Sequence, residues 1–303
     1  MSKAKRSILM YGRTNAGKST LISELAEHVK ATTGKKSLVY SIDKGGIGPL
    51  IPYVDLGIID LVLQEETNPF VFMAKVSRGM IRDKAGKWIP AKIDDYGLVA
   101  NESLTGFGDS MMNFLAEEAS KGVNIGGQAG VNFSITSDGE TMKVGGNNMM
   151  HYGIVQTRIL DELWRSQKLN VPFVVWTASA SKEEDGNFGG KVIGPAAAGK
   201  ALTSELPRHC DLCFRVDCMP ATQGKPERHI IYLGNSVDQN AGNAVSLGNV
   251  RLPMGATLPS TTVEPASIVK VLKMIEDAEA QAKEAITKRM ASLPKKEAIG
   301  KVN

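Results

Sequence analysis

The sequence predicts an α/β protein whose mostly parallel sheet is flanked by helices, and three observations lead to this prediction. A short apolar strand at 7–11 is followed directly by a glycine-bounded loop at 12–19. Apolar residues at helical spacing come next, at 21–29, so that strand, loop and helix follow one another. An uninterrupted apolar run at 171–176 fits a central parallel strand, because such strands are buried on both faces. With 303 residues, of which 42% are hydrophobic, the chain can bury the core of such a fold.

The loop at 12–19 fits the pattern G-x-x-x-x-G-K-[ST] without a mismatch. Its backbone N–H groups converge at the positive end of the following helix, which favours a phosphate. Lys18 is expected to reach the β- and γ-phosphates of a nucleotide, and Ser19 is expected to ligate magnesium. The residues expected to contact the nucleotide are consecutive: Gly12, Arg13, Thr14, Asn15, Ala16, Gly17, Lys18, Ser19 and Thr20. The helix is expected to end near Gly34.

Two carboxylates follow predicted strands, and each has two interpretations. Asp43 follows the β-rich run at 37–42, where it is either a catalytic group or a cap for the glycines after it. Glu102 follows the apolar run at 98–100, where it is either associated with a metal or an ordinary glutamate at a helix start. Between them, the Asn-Pro pair at 68–69 predicts the start of another helix.

The order of these segments resembles that of RecA-like ATPases. The stretch at 41–64 resembles the family's segment in which an acidic residue at a strand tip orients the attacking water, and Asp43 is the matching position. RecA itself has the longer glutamate there. The stretch at 101–105 resembles the "DSLT" of a phage branch of the family, with Glu102 in place of the aspartate. In P-loop ATPases this acid ends the strand beside the phosphate loop and holds magnesium through water.

The resemblance therefore implies a catalytic set of Lys18, Asp43 and Glu102, in which the two carboxylates compete for the role of base. It also implies that Ser19 and Glu102 hold Mg²⁺, the latter through water. Thr177 and Ser179, which follow the central strand, are candidate sensors of the γ-phosphate, or else ordinary strand-end hydroxyls.

Oligomeric ATPases of this type complete catalysis with a lysine or arginine from a neighbouring subunit. Lys200 and Arg251 lie in the stretches where this cation is expected, although each also fits an ordinary surface residue. The resemblance thus implies a homo-oligomer. The glycine-rich stretch at 183–200 lies where RecA-like proteins carry a mobile DNA-binding loop.

The resemblance spans roughly residues 7–255 and implies a RecA-like P-loop ATPase domain at 1–262. A glycine-rich insertion at about 122–153 contains a predicted hairpin around Asp138-Gly139; with few cations, it fits a lid or subunit contact better than a DNA site. Residues 263–292 form a predicted C-terminal helix, and 293–303 form a basic tail that we expect to be disordered.

The nucleotide is predicted to be ATP rather than GTP. A guanine-binding motif [NT]-K-x-D has its nearest match at 235–238, where the lysine is missing. The D-x-x-G pattern at 94–97 begins a predicted strand, whereas a GTPase has it at the end of one.

The cysteine cluster at 210–218 has two interpretations. The segment alternates like a buried strand of reduced thiols, which is the favoured interpretation. A zinc site with His209 is the alternative, but Cys210 and Cys218 would lie ~26 Å apart in an extended strand.

The net charge of +4 permits contact with nucleic acid without requiring it. No apolar run approaches the roughly 20 residues of a membrane helix, so we expect a cytoplasmic protein without a membrane partner, in the host cytoplasm if a phage encodes it. The expected function is Mg²⁺-dependent ATP hydrolysis in DNA recombination, repair or related phage DNA metabolism, with single-stranded DNA as a candidate partner. The alternatives are a nucleotide-gated assembly or scaffold protein with little hydrolysis, and a GTPase switch.

Overall fold

The protein is described from a computed structural model that covers residues 5–43, 45–121, 131–137, 140–146, 149–185, 190–221, 226–234, 236–238 and 244–292. The strands are β1 (Arg6–Gly12), β2 (Lys36–Ser41), β3 (Ile59–Leu63), β4 (Met80–Arg82), β5 (Trp88–Pro90), β6 (Tyr96–Glu102), β7 (Val131–Ser137), β8 (Glu140–Gly146), β9 (Phe173–Asp185), β10 (Gly190–Pro195), β11 (Leu212–Met219), β12 (Arg228–Leu233), β13 (Ser236–Asp238), β14 (Ala244–Ser246), β15 (Asn249–Val250) and β16 (Thr262–Val263). The helices are α1 (Lys18–Thr33), α2 (Ile51–Asp55), α3 (Pro69–Val76), α4 (Leu104–Ser120), α5 (Met149–Ser166), α6 (Lys200–Glu205) and α7 (Ile268–Ser292).

The central sheet is mostly parallel, which confirms the predicted α/β class. Its strands follow the order β3-β2-β6-β9-β1-β11-β12-β16, and every pair from β3 to β11 is parallel. The pairs β11–β12 and β12–β16 are antiparallel. Because parallel strands point the same way, the carboxyl ends of β1, β2, β6 and β9 meet at one edge of the sheet.

Two apolar cores cover the two faces of this sheet. On one face α1 and α7 pack against residues such as Ile8, Met10, Leu98 and Ala100. On the other face α3, α4 and α5 pack around the fully buried Trp176. A sheet covered on both faces explains why the central strands read as continuous apolar runs in the sequence.

Several local predictions are confirmed at helix ends. Gly34 takes the left-handed conformation, with φ 71°, and its N–H donates to the carbonyl of Lys30 at 2.9 Å. Asn68 caps α3 by accepting a hydrogen bond from the N–H of Phe70, with Pro69 in the first turn. The loop at 12–19 lies between β1 and α1, also as predicted.

The C-terminal helix α7 packs on the domain along most of the predicted stripe. The stripe residues that are buried are Ile268, Leu272, Ile275, Ala278 and Ala282. Glu24 of α1 accepts a hydrogen bond from the N–H of Ile268 at 2.9 Å and so caps the first turn. Ile286, the last residue of the predicted stripe, is 47% exposed, because the final turns of α7 extend past the core.

The strand that bears Glu102, β6, ends beside the loop at 12–19, as expected, although β9 pairs with both β6 and β1 and separates them. One sequence expectation about strand placement is wrong. The segment expected as a loop at 183–200 is largely a hairpin, in which β9 continues to Asp185 and pairs antiparallel with β10. Pairing of β10 with β9 on one side and with β14 on the other overrides the glycine-rich composition that suggested a loop.

The glycine-rich insertion contains the predicted hairpin. β7 and β8 pair antiparallel, and the pairing of Ser137 with Glu140 leaves room for a two-residue turn. The turn residues, Asp138 and Gly139, lie outside the described residues, as does the predicted tail at 293–303. None of the described helices has both the length and the apolar character that a membrane span requires.

Gly12 at the end of β1 is the position where we expect a substitution to disturb this fold. A Cβ added there would lie 2.0 Å from the carbonyl oxygen of Val216 on β11. Gly12→Ala should therefore lower the free energy of unfolding by about 1–3 kcal/mol, the usual cost of overpacking. The measurement is chemical denaturation without nucleotide.

Gly153 in α5 provides the matched control, because a Cβ added there meets no atom within 4 Å. Gly153→Ala should stabilise the protein by roughly 0.5–1 kcal/mol, since alanine is the better helix former. A Gly12→Ala variant that unfolds at the parent's midpoint would contradict the close approach of β1 and β11.

Candidate functional site

The loop between β1 and α1 is sharply turned and ends at an uncapped helix start. Asn15 and Gly17 have positive φ values of 63° and 95°, which turn the chain sharply between strand and helix. Gly17 is the N-cap of α1, and no side chain caps the helix there. The first turn of α1 also has no acidic residue. The start of this helix is therefore suited to an anion.

Lys18 folds back over the loop. Its Nζ donates hydrogen bonds to the carbonyl oxygens of Gly12 and Arg13, both at 2.9 Å. Burial lowers the pKa of Lys18, and the nearby carboxylate of Glu102 partly opposes that effect. The amino group thus lies across the concave side of the loop, where the sequence analysis places the phosphates.

Ser19 and Glu102 meet directly, although they are far apart in the sequence. The hydroxyl of Ser19 donates a hydrogen bond to Oε1 of Glu102. Glu102 is 5% exposed, and its Oε2 is buried without a hydrogen-bond partner among the described residues. Burial raises the pKa of Glu102, the Ser19 bond and Lys18 lower it, and Asp43 raises it further.

This pair fits a magnesium ion. Mg²⁺ takes oxygen ligands, and a hydroxyl beside a buried carboxylate with one unpaired oxygen supplies them. The crossing of α1 from β1 to β2 brings the pair together, since α1 passes over β9 and packs on β6 through Leu98 and Ala100. The start of α1 therefore reaches the end of β6 even though β9 lies between the two strands.

Asp43 lies next to this pair and also serves as a cap. It is exposed, and its Oδ1 accepts a hydrogen bond from the N–H of Gly45 at 2.8 Å. A Cβ on Gly46 would lie 3.6 Å from Oδ2 of Asp43 and 3.7 Å from Oε1 of Glu102. The two interpretations of Asp43 are thus compatible, because one oxygen caps the turn while the other faces the side where Glu102 lies.

A polar cavity of about 530 Å³ adjoins Asp43. Its lining comes from the ends of β2, β3 and β9 and the start of α4, and includes Ile42, Asp43, Gln64, Ser103, Thr105, Asp109 and Ser179. Oε1 of Gln64 is buried without a hydrogen-bond partner among the described residues. The sequence analysis did not select Gln64, although it directly follows an apolar run that ends at the same sheet edge.

Thr177 lies within β9 rather than at its end. It pairs with Met10, it is fully buried, and its Oγ1 has no hydrogen-bond partner among the described residues. Ser179 lies at the level of the phosphate loop, because it pairs with Gly12. Thr177 thus sits two residues below the loop.

The two candidate trans-acting cations lie in different parts of the fold, after β10 and after β15. Lys200 is the first residue of α6, which follows β10. The guanidinium of Arg251 donates to the carbonyl of Arg208, and its backbone N–H donates to the carbonyl of Asp211 at 3.0 Å. Asp211 precedes β11, so Arg251 lies at the sheet edge opposite to the loop of its own chain.

His229, which was not predicted as a site residue, also contacts the loop at 12–19. The Nδ1 atom of His229 lies 3.1 Å from the carbonyl oxygen of Ala16. A Cβ added to Gly17 would lie 3.3 Å from this Nδ1 atom. The histidine comes from β12, which pairs with β11. No local pattern in the sequence reveals this contact, because it depends on which strand lies beside β11.

The three cysteines form no disulfide, and they differ in environment. Cys210 and Cys213 are buried, and burial raises the pKa of both thiols, that of Cys210 to about 12. Cys218 is half-buried at the end of β11. Among the described residues, neither Cys210 nor Cys213 belongs to a group of side chains spaced to share a metal ion.

No protein-family model matches the chain, and no curated protein shows significant similarity to it.

The raised pKa of Glu102 predicts a pH-dependent effect on stability. A carboxyl whose pKa is raised by folding stabilises the protein below its ordinary value of 4.5, and this contribution is lost as the pH rises through the folded-state pKa. Glu102→Gln keeps an acceptor for Ser19 and cannot ionise. Its melting temperature in EDTA should therefore exceed the parent's at pH 8, and the difference should shrink towards pH 4.5.

Glu65→Gln is the control, because that side chain is 64% exposed. It should change the melting temperature little at either pH. A Glu102→Gln variant that melts below the parent at pH 8 would show that the charged carboxylate stabilises the fold.

Proposed function

We propose that the protein binds ATP with Mg²⁺ at the loop at 12–19 and hydrolyses it. The observation that carries the proposal is the hydrogen bond from Ser19 to the buried Glu102. In P-loop NTPases the Ser or Thr of the loop and an acidic residue at a strand end together hold the magnesium ion. A chance match to the loop pattern gives no reason for a carboxylate 83 residues away to contact the motif serine.

Each residue of the site has a proposed role. The N–H groups at the start of α1 and the amino group of Lys18 bind the phosphates. Ser19 ligates Mg²⁺ and Glu102 holds it through water, and the ion when bound neutralises charge on the phosphates. Asp43 orients the attacking water, with Glu102 as the rival for that role. Thr177 remains a candidate sensor, acting through the residues above it in β9.

We further propose the RecA-like class for this fold, with the ATPase domain at 1–262 and α7 as an appended helix. The parallel sheet with helices on both faces supports the proposal. So does the position of Asp43 and Glu102, which follow or end strands whose carboxyl ends meet at the same edge as the phosphate loop.

ATP is favoured over GTP on two observations. Asp238, the acidic residue of the nearest match to a guanine motif, belongs to β13, which pairs with β14 at the outer edge of the sheet. The D-x-x-G pattern at 94–97 precedes and begins β6, so its carboxylates lie at the opposite end of that strand from Glu102.

The proposed process is DNA recombination or repair, and single-stranded DNA is the proposed partner of a homo-oligomer. The β9–β10 hairpin supports this role, because β9 runs past the level of the phosphate loop and carries exposed Lys182, with exposed Lys191 on β10. The register pairs Lys191 with Glu184 and places Glu183 and Asp185 nearby, so the salt dependence of binding should be shallow.

A nucleotide-gated assembly protein with little hydrolysis is the second candidate. The observation that favours it is the hydrogen bond from Gly45 to Asp43, which engages one carboxylate oxygen in a turn. An aspartate held as a cap is less free to orient water, and slow turnover would follow.

Turnover with ATP and with GTP, each with and without single-stranded DNA, tests the proposed function. We expect ATP to be hydrolysed several-fold faster than GTP, with DNA increasing the rate. Lys18→Ala is the matched control and should reduce ATP turnover by on the order of 10²-fold or more, because the phosphate charge loses its main cation.

Tight ATP binding without turnover would favour the assembly protein, and equal or faster GTP turnover would favour a switch. Parental ATP affinity of Lys18→Ala in calorimetry would contradict the phosphate-loop assignment.

Asp43→Asn and Glu102→Gln should separate the two carboxylate roles. Loss of the group that orients water leaves ATP bound but unhydrolysed, whereas loss of the magnesium carboxylate raises the Mg²⁺ concentration needed for half-maximal rate. We expect Asp43→Asn to bind ATP without hydrolysing it, and Glu102→Gln to need more Mg²⁺ for its half-maximal rate. Steady-state assays across a series of magnesium concentrations measure both effects. Asp109→Asn is the control. Asp109 lines the same polar cavity as Asp43, but it has no described contact with Ser19 or Glu102. Parental rates for both variants would contradict the site.

A further inference from the structure

Three side chains with metal-binding atoms lie close together beside the loop at 12–19. They are Cys218 at the end of β11, Glu227 just before β12, and His229 on β12. One ligand atom from each lies within 4.8 Å of the other two. Cys218 and His229 pair directly across the antiparallel ladder, so their side chains leave the same face of the sheet. Both are half-buried, and Glu227 is exposed.

The hydrogen bonds of His229 fix the orientation of its ring. A carbonyl oxygen only accepts, so the contact of Nδ1 with the carbonyl of Ala16 at 3.1 Å requires the proton on Nδ1. The other nitrogen, Nε2, lies 3.1 Å from Oε1 of Glu227. A lone pair and a carboxylate oxygen at this distance repel each other unless a proton or a metal ion lies between them.

We propose that Cys218, Glu227 and His229 form a zinc-binding site. Zinc takes thiolate, imidazole and carboxylate ligands at about 2.0–2.3 Å, so the ligand atoms of a tetrahedral site lie within about 4 Å of one another. The observed spacing needs only small side-chain movements to reach that geometry. Calcium and magnesium take oxygen ligands, and a site with sulfur and nitrogen selects against them.

A carbonyl group that would hold the histidine ring in position is already in contact with it. Histidines that bind a metal through one ring nitrogen donate the other N–H to a carbonyl or carboxylate, which holds the ring in position. The carbonyl of Ala16 has this role for His229. Three protein ligands leave a fourth position for water. Glu227 and His229 also line a cavity of about 300 Å³ with Ala16, Gly17 and Thr20, so the site is accessible.

The zinc site links to the phosphate loop through His229. An ion that fixes the imidazole ring also fixes its hydrogen bond to Ala16, inside the loop at 12–19. Zinc and ATP are therefore expected to change each other's affinity by the same factor. This coupling rests on the proposed function, whereas the zinc site itself does not.

Metal titration of the full, untagged chain after treatment with EDTA tests the site. We expect one zinc per chain in calorimetry, and a cobalt derivative whose spectrum shows a thiolate-to-metal band and tetrahedral d–d bands. Cys218→Ser should abolish the thiolate band. Glu227→Gln and His229→Ala should each weaken zinc binding by more than about tenfold, since loss of a group that only supports a ligand already costs about 10–100-fold.

His209→Ala is the matched control. His209 also lies near a glutamate, with Nε2 at 3.7 Å from Oε1 of Glu205, but it belongs to no group spaced for a metal among the described residues. It should bind zinc as the parent does. Circular dichroism of each variant checks folding, and the exposed Glu227→Gln keeps the test valid if His229→Ala unfolds.

The outcomes separate the zinc site from the proposed function. Absence of zinc binding by the folded parent, or a cobalt spectrum without the thiolate band, would overturn the site. Parental zinc affinity in all three ligand variants would overturn it as well. Lys18→Ala should bind zinc like the parent, so loss of ATP binding with intact zinc binding would support a site independent of the nucleotide.

Discussion

The hydrogen bond from Ser19 to Glu102 depends on nearly every long-range feature of the fold. It requires β1 and β6 to end at the same edge of the sheet, which the parallel pairing through β9 provides. It also requires α1 to cross from β1 towards β2, so that its first turn reaches the end of β6. The two apolar cores hold this crossing in place, because α1 buries Leu25 against one face of the sheet. The site is thus a consequence of topology as much as of the motif.

The electrostatics of the cluster explain why it is suited to a cation and an anion together. Burial acts on Lys18 and Glu102 in the same sense, since it disfavours the charged form of each and moves their pKa values towards each other. Asp43 adds a second carboxylate and raises the pKa of Glu102 further. A divalent cation beside the carboxylates, with phosphates beside the lysine, would stabilise both charged forms. Charged groups that are costly to bury in isolation are typical of sites built for a ligand.

What could be predicted from the sequence was local. The turn of residues 12–19, the Gly34 stop and the Asn68 cap each depend on a few adjacent residues, and the structure has them as predicted. The order of strands was not predictable, because β9 enters between β1 and β6 through pairing that leaves no local trace in either segment. His229 was missed for the same reason, since its contact with Ala16 follows from the register of β12 on β11.

The loop at 12–19 is held from two sides. Glu102 reaches it at Ser19 from β6, and His229 reaches it at Ala16 from β12, on opposite sides of β1 in the strand order. These contacts help to order the loop, and ordering a chain segment costs conformational entropy. Support that is present before the ligand arrives lowers the ordering cost of binding. A metal ion bound at His229 would strengthen only the contact between β12 and the loop, at Ala16. The proposed zinc site would therefore change the rigidity of the loop without contacting the residues to which we assign hydrolysis.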